Sequence, residues 1–226
     1  MNLIANVNEH WGIGKNGELL CRIKADTDYF RKTTMGKTLI YGRKTLDSLP
    51  GKKPLPGRKN IVITSNYTHV GEQTQHSAQY FGTINRIAKL KNGDSMSGPR
   101  IFVFRDQHGD GEKYPAKPYK NTSLFLVKNI YEAIVLANML ELDTDDVFVC
   151  GGESIYKELA PFCKTAYLTI NNCKTSADTF FPNLDELGWT KNTSNTVESE
   201  DEISGLKYYF CTYINNDVKS IYDIKE

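Results

Sequence analysis

One carboxylate stands in an unusual place in this sequence. Asp26 lies on the apolar face of a short helix predicted over residues 26–34, just after a Gly-punctuated loop, Trp11–Leu20. A carboxylate that faces the protein interior loses hydration, which is costly unless another group pairs with it. A ligand that offers two N–H donors side by side would supply that partner. The plainer alternative is that Asp26 only caps the helix.

Two strand-to-helix junctions could hold an anionic group. Residues 42–45, Gly-Arg-Lys-Thr, follow a predicted strand and open a helix, so backbone N–H groups, a hydroxyl and two cations converge there. Residues 150–153, Cys-Gly-Gly-Glu, follow a later strand, and the paired glycines let the backbone approach a ligand closely. Taken alone, a glycine pair between a strand and a helix is more often an ordinary turn.

A third motif places a cation after a tight turn. Arg58 ends the run Leu55-Pro-Gly-Arg58, where its guanidinium could bind a carboxylate through two parallel hydrogen bonds. A single arginine in such a place is more often a solvated surface residue. The order and combination of the three motifs, more than any one of them, indicate a ligand-binding site.

The elements that must position these residues are predicted from short apolar runs and helical segments. Buried strands are predicted at Leu3–Val7, Thr38–Tyr41, Asn60–Thr64, Asp146–Cys150 and Ala166–Ile170. Helices are predicted at Asp26–Thr34 with Gly36 as the stop, from Lys44, at Ile130–Leu140 with Asn129 and Glu132 as a capping box, and from Glu153 to before Pro161. Short apolar strands separated by helices indicate an α/β fold with a mostly parallel sheet.

The end of the chain has a different pattern from this α/β region. Trp189–Glu198 and Leu206–Ile214 flank a polar, Gly-containing turn, which predicts an antiparallel hairpin at the edge of the sheet. We expect a single domain over residues 1–226 that ends in a short tail, 215–226.

Residues 66–123 interrupt the alternation of strands and helices. The segment is polar and rich in Gly, Lys, Asn and Pro, with one credible strand at Arg100–Phe104. A structureless loop of this length is uncommon. We interpret the segment as a surface insertion beside the strand Asn60–Thr64, with an apolar run that could add an edge strand or contact a partner.

Composition limits the classes of protein to consider. The chain has 226 residues, 39% of them hydrophobic, and a formal net charge of +1. This balance favours a packed globular protein, and it gives no reason to expect nucleic acid or a membrane surface as partner. The N-terminus lacks the pattern of a signal peptide, and no run approaches the roughly 18 apolar residues of a membrane span. Five scattered cysteines indicate reduced thiols, so we expect a cytoplasmic protein. We also expect a monomer, to which a partner could bind through the insertion 66–123, and no metal site.

Several motifs occur in an order that resembles the dihydrofolate reductase family. They are residues 3–5, 12–14, 25–30, 42–45, 55–60, 151–156, 167–169 and 178–182, so the resemblance spans nearly the whole chain outside the insertion. It implies an eight-stranded, mostly parallel sheet flanked by helices, with a C-terminal antiparallel edge. It also implies NADPH-dependent reduction of 7,8-dihydrofolate to tetrahydrofolate, by hydride transfer to pterin C6 with protonation at N5.

The resemblance assigns the substrate site residue by residue. Asp26 would hold the pterin 2-amino group and N3, with Thr169 hydrogen-bonded to that carboxylate directly or through water. Arg58 would bind the α-carboxylate of the substrate. The side chains expected around the substrate are Ile4, Ala5, Asp26, Phe30, Leu49, Arg58, Cys150 and Thr169.

The resemblance also implies an NADPH site and a cis peptide between Gly151 and Gly152. Leu19, on the loop 14–20, would cover the nicotinamide as a lid and join Asp26 and Thr169 in catalysis. The residues expected around NADPH are Ala5, Ile13, Gly14, Gly42, Arg43, Lys44, Thr45, Thr64, Ser65, Gly151, Gly152, Glu153, Ser154, Ile155 and Tyr156.

The sequence departs from the family pattern at several site positions. The common Pro-Trp pair of the lid is replaced by Leu20-Cys21, a polar Asn6 lies near the expected nicotinamide amide site, and Cys150 replaces an aliphatic residue. Two other functions stay open at this point. One is a related reductase of the riboflavin pathway, against which Asp26, Phe30 and the Arg58 motif argue. The other is a non-catalytic binding or assembly module that retains the fold.

Overall fold

The strands form one large sheet and one small sheet. The structure, a computed structural model, describes residues 1–66, 78–83, 100–104, 123–192, 194 and 196–220. The strands are β1 (Asn2–Asn8), β2 (Gly12–Lys15), β3 (Glu18–Leu19), β4 (Thr38–Gly42), β5 (Lys59–Ile63), β6 (Ala78–Thr83), β7 (Arg100–Phe104), β8 (Ser123–Val127), β9 (Val147–Val149), β10 (Thr165–Asn171), β11 (Thr179–Phe180), β12 (Thr190–Asn192), β13 (Ser199–Glu200) and β14 (Lys207–Ile214). The helices are α1 (Lys24–Thr34), α2 (Arg43–Ser48), α3 (Ile130–Leu140) and α4 (Glu153–Leu159).

The eleven-stranded main sheet contains the predicted fold. Its order is β12-β14-β10-β1-β9-β4-β5-β8-β7-β6, and β13 also pairs with β14. From β10 to β8 every neighbouring pair is parallel. At the other end of the sheet, β14 pairs antiparallel with β10, and β12 pairs antiparallel with β14. The first eight strands of this order are the predicted mostly parallel sheet with its antiparallel C-terminal edge, so the fold class is confirmed. The additional strands are β6 and β7 from the insertion and the short β13.

Helices cover both faces of the parallel strands. On one face, Tyr29 and Phe30 of α1 and Leu46 of α2 pack with Leu39 and Val62 of the sheet. On the other face, α3 and α4 pack against Val149, Ile40 and neighbouring strand residues. Because the central strands are buried on both faces, they appear in the sequence as continuous apolar runs instead of an alternating pattern.

The helix ends show which boundaries depend on local sequence. For α3, the side-chain oxygen of Asn129 accepts from the Glu132 N–H at 2.9 Å, and Glu132 Oε2 accepts from the Lys128 N–H at 2.7 Å. The capping box is therefore present, with its return bond one residue earlier than the usual pattern. Helix α1 begins at Lys24, earlier than predicted, and Asp201 Oδ1 accepts from the Lys24 N–H at 2.9 Å.

The predicted strand Arg100–Phe104 is confirmed as β7, but its neighbour differs from the expected one. It pairs antiparallel with β8, and β6 pairs with β7. Because β8 runs parallel to β5 and occupies the edge beside it, β7 adds to the edge of β8 and not beside Asn60–Thr64. The other residues of the insertion lie outside the described part, and so do residues 221–226 of the predicted tail. The single-domain organisation stays a prediction.

Two further findings bear on the sequence predictions. All five cysteines lie in the described segments and are free thiols. Among the helices of those segments, none is long and apolar enough to cross a membrane.

Candidate active site

A cleft of about 820 Å³ opens at the carboxyl ends of strands β1, β4, β5 and β9. Ligands of open α/β sheets bind at this edge, where loops leave the strands. Every residue predicted to contact NADPH lines this cleft: Ala5, Ile13, Gly14, Gly42–Thr45, Thr64, Ser65 and Gly151–Tyr156. The sequence motifs are therefore brought together in one place, although their contact with the cofactor stays a prediction.

The two glycine-containing junctions meet at the centre of the cleft. The N–H of Gly42 donates to the carbonyl of Gly151 at 2.8 Å, so the turn after β4 is tied to the turn after β9. Gly151 has φ of +126°, and a Cβ on it would lie 3.2 Å from Thr45 Oγ1. This backbone conformation disfavours any side chain at Gly151, and a Cβ there would also make a tight contact with Thr45. The peptide bond between Gly151 and Gly152 is cis, as predicted.

Basic and hydroxyl side chains occupy the part of the cleft near β5 and β8. Arg43 forms an ion pair with Asp47 along α2, whereas Lys44 and Ser65 are exposed. Lys128, which follows β8, also lines the cleft. Two cations from different strand ends, and the hydroxyl of Ser65, could therefore approach a phosphate together with Arg43.

Two of the predicted cofactor residues form hydrogen bonds to other parts of the protein. Glu153 accepts from Lys157 Nζ at 2.6 Å and from the Phe180 N–H at 3.1 Å, and these bonds hold its pKa below the usual value. The Tyr156 hydroxyl donates to the carbonyl of Ile4 at 2.8 Å. Both residues therefore brace the wall of the cleft.

The predicted lid loop 14–20 has regular structure, which is a correction. It contains the hairpin of β2 and β3, and β11 pairs with β2 to complete a three-stranded sheet. Asn16 and Gly17 form the turn with φ of +53° and +79°. Asn-Gly is the strongest short hairpin signal, and it was available in the sequence. Leu19 projects from this hairpin, is 62% exposed and lines the cleft.

Asp26 lies in the first turn of α1, next to β1 and β10. Thr169 Oγ1 donates to Asp26 Oδ1 at 2.6 Å, so the predicted contact is direct. Asn6 Nδ2 donates to Asp26 Oδ2 at 3.3 Å, which gives this departure from the family pattern a defined role in the site. Burial raises the pKa of Asp26, and the two hydrogen bonds partly oppose that rise. No described cation forms an ion pair with this carboxylate.

The predicted substrate residues form a second group beside the cleft. Ile4, Phe30, Leu49 and Cys150 belong to one apolar cluster with Tyr29 on the face of the sheet that α1 covers. Cys150 lines the cleft as well and thus connects the two regions, whereas Ala5 lines the cleft but packs against the cluster on the other face of the sheet. Ile4, Asp26, Phe30, Leu49, Arg58 and Thr169 do not line the 820 Å³ cleft itself.

Arg58 is buried, not solvated as the plainer interpretation held. Only 4% of the residue is exposed. Its guanidinium donates to Pro56 O at 2.7 Å, to Arg31 O at 3.2 Å and to Thr34 Oγ1 at 3.2 and 3.3 Å. The end of α1 and the Pro-Gly turn therefore fix the plane of the guanidinium. Its predicted contact with a substrate carboxylate stays a prediction.

Sequence reasoning missed several residues that line the cleft. They are Gly17, Glu18, Ser48, Ile63, Lys128, Lys157, Asp178 and Thr179. Lys128 had a usable signal, because a basic residue directly after a strand of a parallel sheet lies at the ligand-binding edge. Asp178 could be found only through the family motif 178–182. Its carboxylate accepts from the Asn16 N–H at 2.8 Å and so ties the hairpin turn to the segment before β11.

The chain is similar to known dihydrofolate reductases over nearly its full length. The dihydrofolate reductase of Heliothis virescens is 27% identical over 224 residues, which cover 94% of this chain and 96% of that protein. The enzyme of Bacillus subtilis (strain 168) is 27% identical over 202 residues, which cover 89% and 86%. A structure of dihydrofolate reductase from Enterococcus faecalis, complexed with NADP(H) and RAB-propyl, shares the fold with a TM-score of 0.62, 24% identity and 96% coverage of both chains.

A sequence model of one family matches most of the chain. The model described as dihydrofolate reductase matches residues 1–102 and 116–215. These ranges include both glycine junctions, the hairpin of Leu19, and the Asp26–Thr169 pair. The chain therefore belongs to the dihydrofolate reductase family.

Proposed function

We propose that this protein reduces 7,8-dihydrofolate to 5,6,7,8-tetrahydrofolate with NADPH. Membership of the family supports the reaction class. The observation that carries the proposal is the half-buried carboxylate of Asp26, which receives hydrogen bonds from Thr169 and Asn6 but has no cation as partner among the described residues. Such a carboxylate suits a ligand that presents its own N–H donors.

The residues of the cleft fit NADPH. The close approach of Gly42 and Gly151 leaves backbone without side chains at the centre, where a planar ring and a pyrophosphate require close contact. Arg43, Lys44 and Ser65 provide charge and hydroxyl groups for phosphates on the side of β5. When bound, NADPH supplies the hydride that reaches pterin C6, and the protein contributes binding, orientation and electrostatics.

Asp26 holds the pterin ring and favours protonation at N5. Its carboxylate accepts from the 2-amino group and from N3, a pairing that fixes the ring in one orientation. The carboxylate does not need to touch C6, because polarising the ring is enough to favour a proton at N5. Thr169 keeps the carboxylate from rotating, since its hydroxyl is bonded to Oδ1.

The outer parts of the substrate have their own residues. Phe30 and Ile4 wall the pterin, Leu49 contacts the benzoyl ring, and Arg58 binds the α-carboxylate. Arg58 suits this task because its guanidinium is already oriented by four hydrogen bonds and loses little freedom on binding. Leu19, on the hairpin that borders the cleft, shields the reacting rings from water.

Steady-state oxidation of NADPH with and without dihydrofolate tests this proposal. We expect turnover that requires dihydrofolate and that falls strongly in Asp26→Asn. Turnover of a riboflavin-pathway pyrimidine in place of dihydrofolate would favour the related reductase. Absence of turnover with both substrates, together with intact NADPH binding, would favour a binding or assembly module.

The proposal also includes the setting of the enzyme. We infer a cytoplasmic monomer, and the five free cysteines support the location because they suit a reducing compartment. Sedimentation of the purified protein tests the monomer, and fluorescence of the tagged protein in cells tests the location.

A further inference from the structure

Asn171 has a side-chain orientation that is fixed by backbone atoms. Its Nδ2 donates to the carbonyl of Val7 at 2.9 Å, and its Oδ1 accepts from the Cys173 N–H at 2.9 Å. A carbonyl can only accept and an N–H can only donate, so the positions of N and O in this amide are determined. Asn171 is 3% exposed, so these hydrogen bonds hold its amide in a buried position.

The fixed amide of Asn171 in turn fixes Asn6. Asn171 Nδ2 also donates to Asn6 Oδ1 at 2.7 Å. Since Asn6 must present its oxygen to Asn171, its nitrogen must point the other way, towards Asp26 Oδ2 at 3.3 Å. Strands β1 and β10 are in parallel register with Asn6 opposite Thr169, so the donors to both carboxylate oxygens stand side by side.

We propose that Asn6, held by Asn171, is a positioning residue that orients the Asp26 carboxylate and stabilises its ionised form. The amide of Asn6 turns its nitrogen towards Oδ2 and its oxygen towards Asn171. It can therefore donate a hydrogen bond to the carboxylate but cannot accept one from a protonated Asp26. A donor that serves only the charged form favours ionisation. The inference rests on the proposed function only where it concerns turnover.

The other titratable groups near Asp26 do not carry charge at neutral pH. Electrostatic interactions reach Asp26 from the thiol of Cys21, which precedes α1, from Tyr29 on α1 and from Tyr156 on α4. Burial raises the pKa of Cys21 to about 12 and raises the pKa of both tyrosines. In the described part of the chain, Asn6 and Thr169 are thus the groups that oppose the effect of burial on Asp26.

The test measures the pKa of Asp26 directly. The carboxyl carbon of Asp26 is followed by NMR during a pH titration of the protein without ligands, for wild type, Asn6→Ala, Asn6→Asp and Asn171→Ala. We expect the pKa of Asp26 to rise by about 0.5 to 1 pH unit in Asn6→Ala, since one long hydrogen bond to a charge is lost. The pKa of Asp26 should rise further in Asn6→Asp, where a second carboxylate replaces the donor. It should also rise in Asn171→Ala, because Asn6 is then no longer held in its orientation.

Asn2→Ala is the matched control. Asn2 is buried on the same strand and donates to the Asp145 carbonyl at 2.9 Å, but does not contact Asp26. The pKa of Asp26 should not move in this variant. An unchanged or lowered pKa in Asn6→Ala, or an equal rise in Asn2→Ala, would overturn the proposal.

Two further measurements separate this inference from stability and from the proposed function. In wild type, the side-chain amide signals of Asn6 should shift with the same pH midpoint as the carboxyl signal of Asp26, a result that requires no variant. Amide signals of Asn6 that do not change at that midpoint would overturn the proposed role of Asn6. In assays, the pH at which hydride transfer declines should move upward in Asn6→Ala. If the pKa of Asp26 shifts in Asn6→Ala but the wild-type protein shows no turnover, the proposed function would be contradicted and the proposed role of Asn6 would stand.

Discussion

The Thr169 hydroxyl donates to Asp26 Oδ1 at 2.6 Å across 143 residues of sequence. A hydroxyl on strand β10 therefore fixes a carboxylate on helix α1. Burial of Asp26 raises its pKa, and the bond from Thr169 is the larger of the two effects that oppose it. The charge of this carboxylate thus depends on a contact between two elements that are distant in sequence.

Replacement of Thr169 by valine tests that dependence. Thr169→Val keeps the shape of the side chain but removes the donor, so we expect a higher pKa for Asp26 and a kcat lower by about tenfold. The pH dependence of kcat should move upward with the pKa. Thr169→Ser keeps the hydroxyl and serves as the control, with a pH profile close to that of wild type. Identical profiles in the valine and serine variants would show that the hydroxyl does not act on Asp26.

The raised pKa of Asp26 predicts a pH-dependent effect on stability. The folded protein binds the proton of Asp26 more tightly than the unfolded chain, whose value is about 3.9. The contribution of Asp26 to stability therefore falls as pH rises from that value through the folded pKa. Relative to wild type, Asp26→Asn should gain free energy of unfolding between low and neutral pH, as measured by urea denaturation.

Asp28→Asn is the control for this measurement. Asp28 lies on the same helix, and its exposed ion pair with Lys24 at 3.0 Å contributes little to stability. Asp28→Asn should therefore show no gain in free energy of unfolding relative to wild type at neutral pH. A loss of relative stability in Asp26→Asn as pH rises would mean that the carboxylate is stabilised by the fold, contrary to our account.

Arg43 is expected to distinguish NADPH from NADH. Its guanidinium lies at the start of α2 on the side of the cleft that also contains Lys44 and Ser65. Arg43→Ala should raise the KM for NADPH by about tenfold and the KM for NADH much less. Asp47→Ala, which removes the ion-pair partner but keeps the guanidinium, should not raise the KM for NADPH. Equal effects of Arg43→Ala on both cofactors would exclude recognition of the 2′-phosphate.

Removal of the insertion should leave catalysis nearly unchanged. Strands β5 and β8 are parallel, so the linker must run back along the sheet and needs a dozen or more residues. With residues 67–122 replaced by a Gly/Ser linker of about 15 residues, kcat and the KM for dihydrofolate should stay within a few-fold. Solubility should decrease, because the edge of β8 that pairs with β7 becomes exposed. A large fall in kcat together with a large rise in the KM for dihydrofolate, in a variant that still folds, would place the insertion in the catalytic site.

The contrast between two helices shows what the sequence could predict. The start of α3 was predictable because Asn129 and Glu132 are three residues apart and bond locally. The start of α1 was not, because its cap is supplied by Asp201 from a distant loop. The glycine junctions were predictable in the same way as α3, since a strand, a glycine and a helix follow one another in the chain.

The site shows the same limit. The role of Asn6 depends on the register between β1 and β10 and on the orientation of Asn171, neither of which is a local property. The buried state of Arg58 likewise depends on the Arg31 carbonyl and the Thr34 hydroxyl at the end of α1. The hairpin at Asn16-Gly17 was different: its signal was local, and the many glycines around it favoured the interpretation as a loop.

We expect Asp26 to support hydride transfer from NADPH to dihydrofolate. The most direct measurement uses NADPH that carries deuterium at nicotinamide C4 and follows the label into the product by mass spectrometry, for wild type and Asp26→Asn across pH. We expect wild type to place the label at C6 of tetrahydrofolate. Asp26→Asn should bind NADPH but transfer at a rate lower by about 100-fold at neutral pH, with partial recovery at low pH, where solvent can protonate the substrate. Label transfer at the wild-type rate in Asp26→Asn at neutral pH would show that Asp26 does not support hydride transfer.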